Sequence, residues 1–201
     1  MVAQIAVKQE ELTHDLLVAR EMIVHLDEYL RSDAERWDMG RPGMPLMTIG
    51  GCLMRLRRLF VLRTHLLEMD QAALIRAKND FDAALKETVV RFEQRSYLEL
   101  SARLREWTNY LRNLAHSTKI SSDQELYANK VDTRVVIGEL VGKLSEYPYR
   151  LDGRVPRDVA AVDRRLRLMW EPGPFVWAPI WQDAYPKGEY WWLYGRPKGT
   201  R

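Results

Sequence analysis

"LTHDLLVAREMIVHLDEYL", Leu12 to Leu30, places apolar residues at Leu12, Leu16, Ala19, Ile23, Leu26 and Leu30. The steps alternate four and three, which is the spacing of a helix that buries one narrow seam against partner helices at a shallow angle. Trp37 continues the count with only Asp33 out of pattern. The spacing therefore predicts one long helix up to Gly40, where a left-handed glycine cap and Pro42 would stop it.

Beyond that helix, "GRPGMPLMTIGG" (residues 40–51) is a connection dense in Gly and Pro, and neither residue then occurs from Cys52 to Ile137. So long a stretch without breakers is expected to be nearly all helix, divided by caps. Ser96 with Glu99, and Ser122 with Glu125, have capping-box spacing and predict helix starts at the two serines. The expected segments are 48–69, 71–94, 97–117 and 123–146. In the third, Tyr97, Leu100, Leu104, Trp107, Leu111 and Leu114 repeat the seam spacing, while Leu53 to Leu67 is apolar all round and reads as a central, heavily covered helix. Gly138 and Gly142, one turn apart, suggest close backbone approach.

After Tyr147 the pattern changes. Pro148 breaks the helix, "LDG" (151–153) supplies a turn, and Pro156 suits the first position of a shorter helix ending near Met169. "FVWAPIWQDAYPKGEYWWLYG", Phe175 to Gly195, follows with four of the seven Trp residues. Phe175–Trp181 and Tyr190–Tyr194 could pair as a hairpin about "YPKGE", with Pro179 confining it to an edge or bulge. The expected fold class is all-α: four to five long helices in a bundle, a short sixth helix and a C-terminal aromatic arm with a small β-hairpin. The expected organisation is a bundle over 1–147 and the short helix plus arm over 148–201.

A chain of 201 residues, 46% apolar and 29% charged, has the composition of a folded protein. Cys52 is the one cysteine and can form no internal disulfide, and the first thirty residues are acidic where a signal peptide would be basic and then apolar. A reducing, cytoplasmic setting is expected, and no stretch is apolar enough to span a membrane. Residues 1–40 carry four basic and nine acidic residues, whereas 148–201 carry ten basic and six acidic.

Glu11 and His14 have the E-x-x-H spacing with which bundles hold di-iron centres, and His25–Glu28 and His65–Glu68 are the reversed pairs. The motif occurs once and off the seam, so a metal-binding bundle is a second alternative, and no metal or other cofactor is expected. Cys52 stands at a helix start without a nearby His and reads as structural. No Gly-rich loop has the Lys and spacing of a phosphate-binding loop.

In "LRNLAHS" (111–117), Arg112 and His116 lie four apart, so that on one helix face a guanidinium could hold phosphate while an imidazole moves a proton. The stretch resembles the Arg-Asn…His signature of the HEPN ribonucleases, with three residues between Arg and His where that signature has four to six. The resemblance implies an RNA-cleaving enzyme, with Arg112 and His116 as catalytic residues, and is the alternative to a non-catalytic role.

Arg55, Arg57, Arg58 and Arg63 cluster on the second helix, and Arg154, Arg157, Arg164, Arg165 and Arg167 on the short one. Arginine's planar fork suits phosphate contacts, and Trp177, Trp181, Trp191, Trp192 and Tyr194 just downstream could stack on bases or bury area against a partner. The leading expectation is a non-catalytic helical subunit or adaptor of a larger intracellular assembly. Its partner would be a protein, a second copy or nucleic acid, met by these Arg clusters and the arm; the competing role for the arm is an intramolecular lid.

Overall fold

A computed structural model describes residues 2–116 and 126–198, with side chains over 8–115 and 126–198. The fold is all-α, built of helical bundles with one small antiparallel sheet near the C-terminus. The chain divides into two compact units, Met1–Glu99 and Leu100–Arg201. The division falls inside a helix and not near Tyr147, so the arm shares its unit with the helices that precede it.

In the first unit, α1 (Val2–Val24) and α2 (Leu26–Arg31) together fill the place of the expected single helix. They bury Leu12, Asp15, Leu16, Val18, Ala19, Met22, Leu26, Tyr29 and Leu30. The helix stops nine residues before Gly40. The Ser32 hydroxyl donates to the Tyr29 carbonyl and accepts from the Ala34 amide, a local alternative to continued helix. Trp37 consequently lies outside the helix and pairs with Met47 in an isolated antiparallel bridge, each amide donating to the other's carbonyl. Gly40 is left-handed as expected (φ 69°), but it serves the loop that this bridge closes.

α3 (Ile49–Val61) begins at Thr48, whose side chain accepts from the Gly51 amide at 3.0 Å. The covered-helix expectation for Leu53 to Leu67 holds only on one side: Met54, Leu56, Leu59, Leu62 and Leu66 are buried but Val61 and Leu67 are exposed, and the helix ends before Leu62 and passes through a 3₁₀ turn at Arg63–His65. α4 (Glu68–Glu87) packs Ala73, Leu74, Ala77, Phe81 and Leu85 inward, and α1, α3 and α4 contact one another.

α5 (Val89–His116) runs unbroken through Ser96, so that serine starts no helix. Glu99 does cap, but it caps another helix: its Oε2 accepts from the Gly50 amide at 3.0 Å, meeting one of the unpaired N–H groups of α3's first turn. The expected cap at Ser122 and Glu125 lies outside the described residues.

The second unit contains the C-terminal part of α5, a helical stretch over 126–130, α6 (Asp132–Leu144) and α7 (Val155–Leu168), with Pro156 in the first turn of α7 as expected. Gly138 and Gly142 do not mediate close backbone approach. A Cβ on Gly138 would meet only the Arg134 guanidinium at 3.6 Å, and one on Gly142 would meet nothing.

The hairpin exists with its strands displaced outward from the expected ones: β1 (Trp170–Phe175) pairs antiparallel with β2 (Tyr194–Pro197), with an irregularity between Pro172 and Phe175. Between them lie 3₁₀ turns at Pro179–Ala184 and Trp191–Leu193. Gly195 permits the pairing. Its φ is 151°, and a Cβ there would come to 2.2 Å from the Glu171 carbonyl oxygen and 2.9 Å from Trp170 Cζ2. Gly195→Ala is expected to open the sheet at a cost of about 1–3 kcal/mol, read as a lower Tm with weakened near-UV dichroism. An unchanged melt would contradict the tight crossing.

Candidate functional site

The aromatic arm is occupied with its own unit. Ring contacts run without a gap from Trp107 through Tyr127, Trp170, Trp191, Trp192, Tyr190, Tyr185, Trp177 and Phe175 to Tyr194, with successive centroids 5.0–6.3 Å apart. Offset and edge-to-face pairs at such separations contribute about 0.5–1.5 kcal/mol each beyond the area they bury. Irregular ring spacing, which fits neither a strand nor a helix face, is what a chain folded through two short turns produces.

Polar tips fix the arm to the helices and to itself. The Tyr127 hydroxyl donates to the Trp192 carbonyl at 2.6 Å, Trp177 Nε1 to the Ala128 carbonyl at 2.8 Å, and the Tyr194 hydroxyl to the Tyr185 carbonyl at 2.7 Å. Burial pushes the Tyr127 hydroxyl well above the ordinary phenol range, so it keeps the proton it donates. Trp192 and Tyr194 are buried, while Trp177, Trp181 and Trp191 are half-buried.

Two guanidiniums extend the stack. Arg134, on α6, lies over the Trp192 ring at 3.9 Å and holds Asp163 of α7 bidentately through Nε (2.7 Å) and Nη2 (2.8 Å). Arg167, at the end of α7, covers Trp191 at 4.0 Å. The first ties α6, α7 and the arm into one body. Sequence reasoning passed over Arg134 and Asp163, though a signal existed: each is a lone charge among positions that helical spacing turns inward, Arg134 beside Val135, Val136 and Ile137, and Asp163 beside Val159, Val162 and Leu166.

With its inner side fastened, α7 turns its other cations outward. Arg154, Arg157, Arg164 and Arg165 are exposed, and no guanidinium among the four makes an ion pair or hydrogen bond among the described residues. The acids beside them are Asp158 and, before the helix, Asp152, whose carboxylate accepts from the Arg154 amide at 2.8 Å.

The other Arg cluster behaves differently. Arg58 grips the buried Asp15 carboxylate through Nε (2.7 Å) and Nη2, and Arg55 Nε approaches the same carboxylate at 3.2 Å while its Nη1 donates to the Gly51 carbonyl. Both are largely buried and hold α3 to α1. Arg57 is half-buried, and Arg63 is exposed on the 3₁₀ turn. The sequence pattern joined four arginines that the fold separates.

Arg112 is exposed near the end of α5, and the His116 side chain lies outside the described residues. His14 and His65 are exposed, His25 sits between Glu21 (3.5 Å) and Glu28 (3.7 Å), and no group of three His, Cys, Asp or Glu among the described residues is placed to hold a metal ion. Cys52 is fully buried, and burial pushes its thiol up to about 12 despite the nearby Arg55. It has the inert, structural character expected of it.

No protein-family model matches the chain, and it is similar to no curated protein and no solved structure at a meaningful level. No helix among the described residues is long and apolar enough to cross a membrane.

Proposed function

We propose that this chain is a non-catalytic helical subunit or adaptor that joins a larger intracellular assembly through the outward face of α7. The observation that carries this reading is the set of four exposed guanidiniums on one helix, Arg154, Arg157, Arg164 and Arg165, without a carboxylate partner among the described residues. Charged helix faces are ordinarily solvated and mixed in sign. This one is nearly all arginine, and it is held by a bidentate pair behind it, so little side of the helix must be ordered when a partner arrives.

The arm contributes by holding α7 in place; its rings are already spent on one another. The contact surface is therefore narrower than the sequence pattern implied, excluding Arg55 and Arg58 and the buried rings of Trp192 and Tyr194.

Sedimentation from source cells tests the reading. The wild-type chain is expected to travel well beyond its own 23.6 kDa, and the variant with all four arginines changed to Ser is expected to fall back toward that mass with its helix content intact. A wild-type chain that sediments alone, or a variant that stays in the assembly, would overturn it.

A further inference from the structure

The partner's chemistry follows from how those arginines are spaced. We propose that the outward face of α7 seats the phosphate backbone of a nucleic-acid duplex, bound without reading its bases. This rests on the reading of α7 as the contact face, and it names what that face meets.

Arg157 and Arg164 are seven residues apart, two helical turns, so they stand on one line about 10.5 Å long. Arg154 and Arg165, eleven residues apart, form a parallel line about 16 Å long, and Ala161 lies between the two lines. Two rows of planar forks flank a strip that holds Ala161 and, two turns on, the exposed Leu168. Along a duplex each strand presents one phosphate per about 3.4 Å of axis, so a row of 16 Å spans about five phosphates. Every cation on α7 is Arg and none is Lys, which favours two-pronged contact with phosphate oxygens over a diffuse charge.

The charge of the surroundings points the same way. The unit that holds α7 has seventeen basic and twelve acidic residues, whereas the first unit has fourteen basic and sixteen acidic. A polyanion is drawn to one unit of the chain and not to the other.

The aromatic arm decides between a duplex and a single strand. Single-strand binders gain about 1–3 kcal/mol per base from stacking on open rings. Here Trp192 and Tyr194 are buried, and Trp191 is covered by the Arg167 guanidinium and met edge-on by Trp170 at 5.5 Å. Trp191, Trp192 and Tyr194 thus offer no open platform for a base, and the half-buried Trp177 is spent on Phe175, Tyr185 and the Ala128 carbonyl. A single strand would bring only its phosphates and lose its freedom on binding, while a duplex brings them already fixed in a row. Contacts to phosphate carry no sequence information, which makes the contact indifferent to sequence.

The test is fluorescence anisotropy with a labelled 20-base-pair DNA duplex. Four phosphate contacts predict a slope of log affinity against log salt near −3.6, so raising salt from about 50 to about 200 mM should weaken binding on the order of 100-fold. Changing all four arginines to Ser should abolish binding at low salt, and changing them to Lys should keep the slope while weakening affinity several-fold. The single strand of the same sequence, and polyglutamate of equal charge, should each bind at least tenfold less well.

Absence of duplex binding at about 50 mM salt, or undiminished binding by the Ser variant, would overturn the proposal. Equal affinity for polyglutamate would overturn the choice of phosphate, and equal affinity for the single strand the choice of duplex. These failures are separable from failure of the contact-face reading. If the Ser variant leaves the native assembly but the wild type binds no duplex, α7 meets a partner of another kind; if neither occurs, the face itself is wrong.

Discussion

Asp15→Asn is expected to destabilise the first unit by about 3–5 kcal/mol, because it leaves the largely buried Arg55 and Arg58 charges against each other without the carboxylate that now serves both. The substitution keeps the shape of the side chain while removing its charge and turning one of the two accepting oxygens into a donor, so a packing loss cannot account for the result. For a unit of about 100 residues the expected fall in Tm is on the order of 15 °C or more. A second variant sharpens the attribution. Replacing Asp15, Arg55 and Arg58 together by apolar residues of similar volume should restore most of the loss, since a buried ion cluster often exchanges for apolar packing at little cost. A melt of Asp15→Asn within about 1 °C of wild type would show that the cluster is solvated and would return Arg55 and Arg58 to the pool of contact residues.

Arg134→Ala should be comparably severe in the second unit, on the order of 3–5 kcal/mol. The substitution leaves Asp163 without its bidentate partner, removes the cation above Trp192 and opens space beside Gly138. Near-UV dichroism should fall further than far-UV dichroism, because the ring stack loses its fixed environment while the helices persist. Arg134→Lys should not rescue, since an ammonium can neither fork onto Asp163 nor lie flat on the indole. Preserved near-UV dichroism in either variant would mean that the arm is seated by its rings alone.

The sequence was legible wherever local spacing decided the outcome. Alternating steps of four and three from Leu12 required helices with a buried seam, and Pro156 required a helix start, because both are short-range steric facts. It was misleading where a local signal had a competing long-range use. Ser96 and Glu99 have capping-box spacing, yet α5 passes through them and Glu99 caps α3, forty-nine residues away. Nothing in the local pattern distinguishes the two uses of one carboxylate. Trp37 kept the heptad count, but the Ser32 hydroxyl had already ended the helix.

The candidate site was half legible for the same reason. All four arginines of the second-helix cluster look alike in sequence, and the direction of helix packing turns Arg55 and Arg58 onto Asp15 while leaving Arg63 in solvent. On α7, by contrast, Val159, Val162 and Leu166 already mark the inward side, so the outward placement of Arg157, Arg164 and Arg165 follows from 3.6-residue periodicity. The destination of the rings was not legible, because the arm's turns lack a repeating period and the contacts that fix it reach back to Tyr127, Ala128 and Arg134.

The measurement that bears most directly on α7 as the contact face is arginine-specific footprinting with a dicarbonyl reagent, comparing the native assembly with the purified chain and reading modified peptides by mass spectrometry. The account predicts that Arg154, Arg157, Arg164 and Arg165 lose most of their reactivity in the assembly while the exposed Arg63 and Arg112 react alike in both. Equal reactivity of the four α7 arginines in assembly and free chain would contradict it.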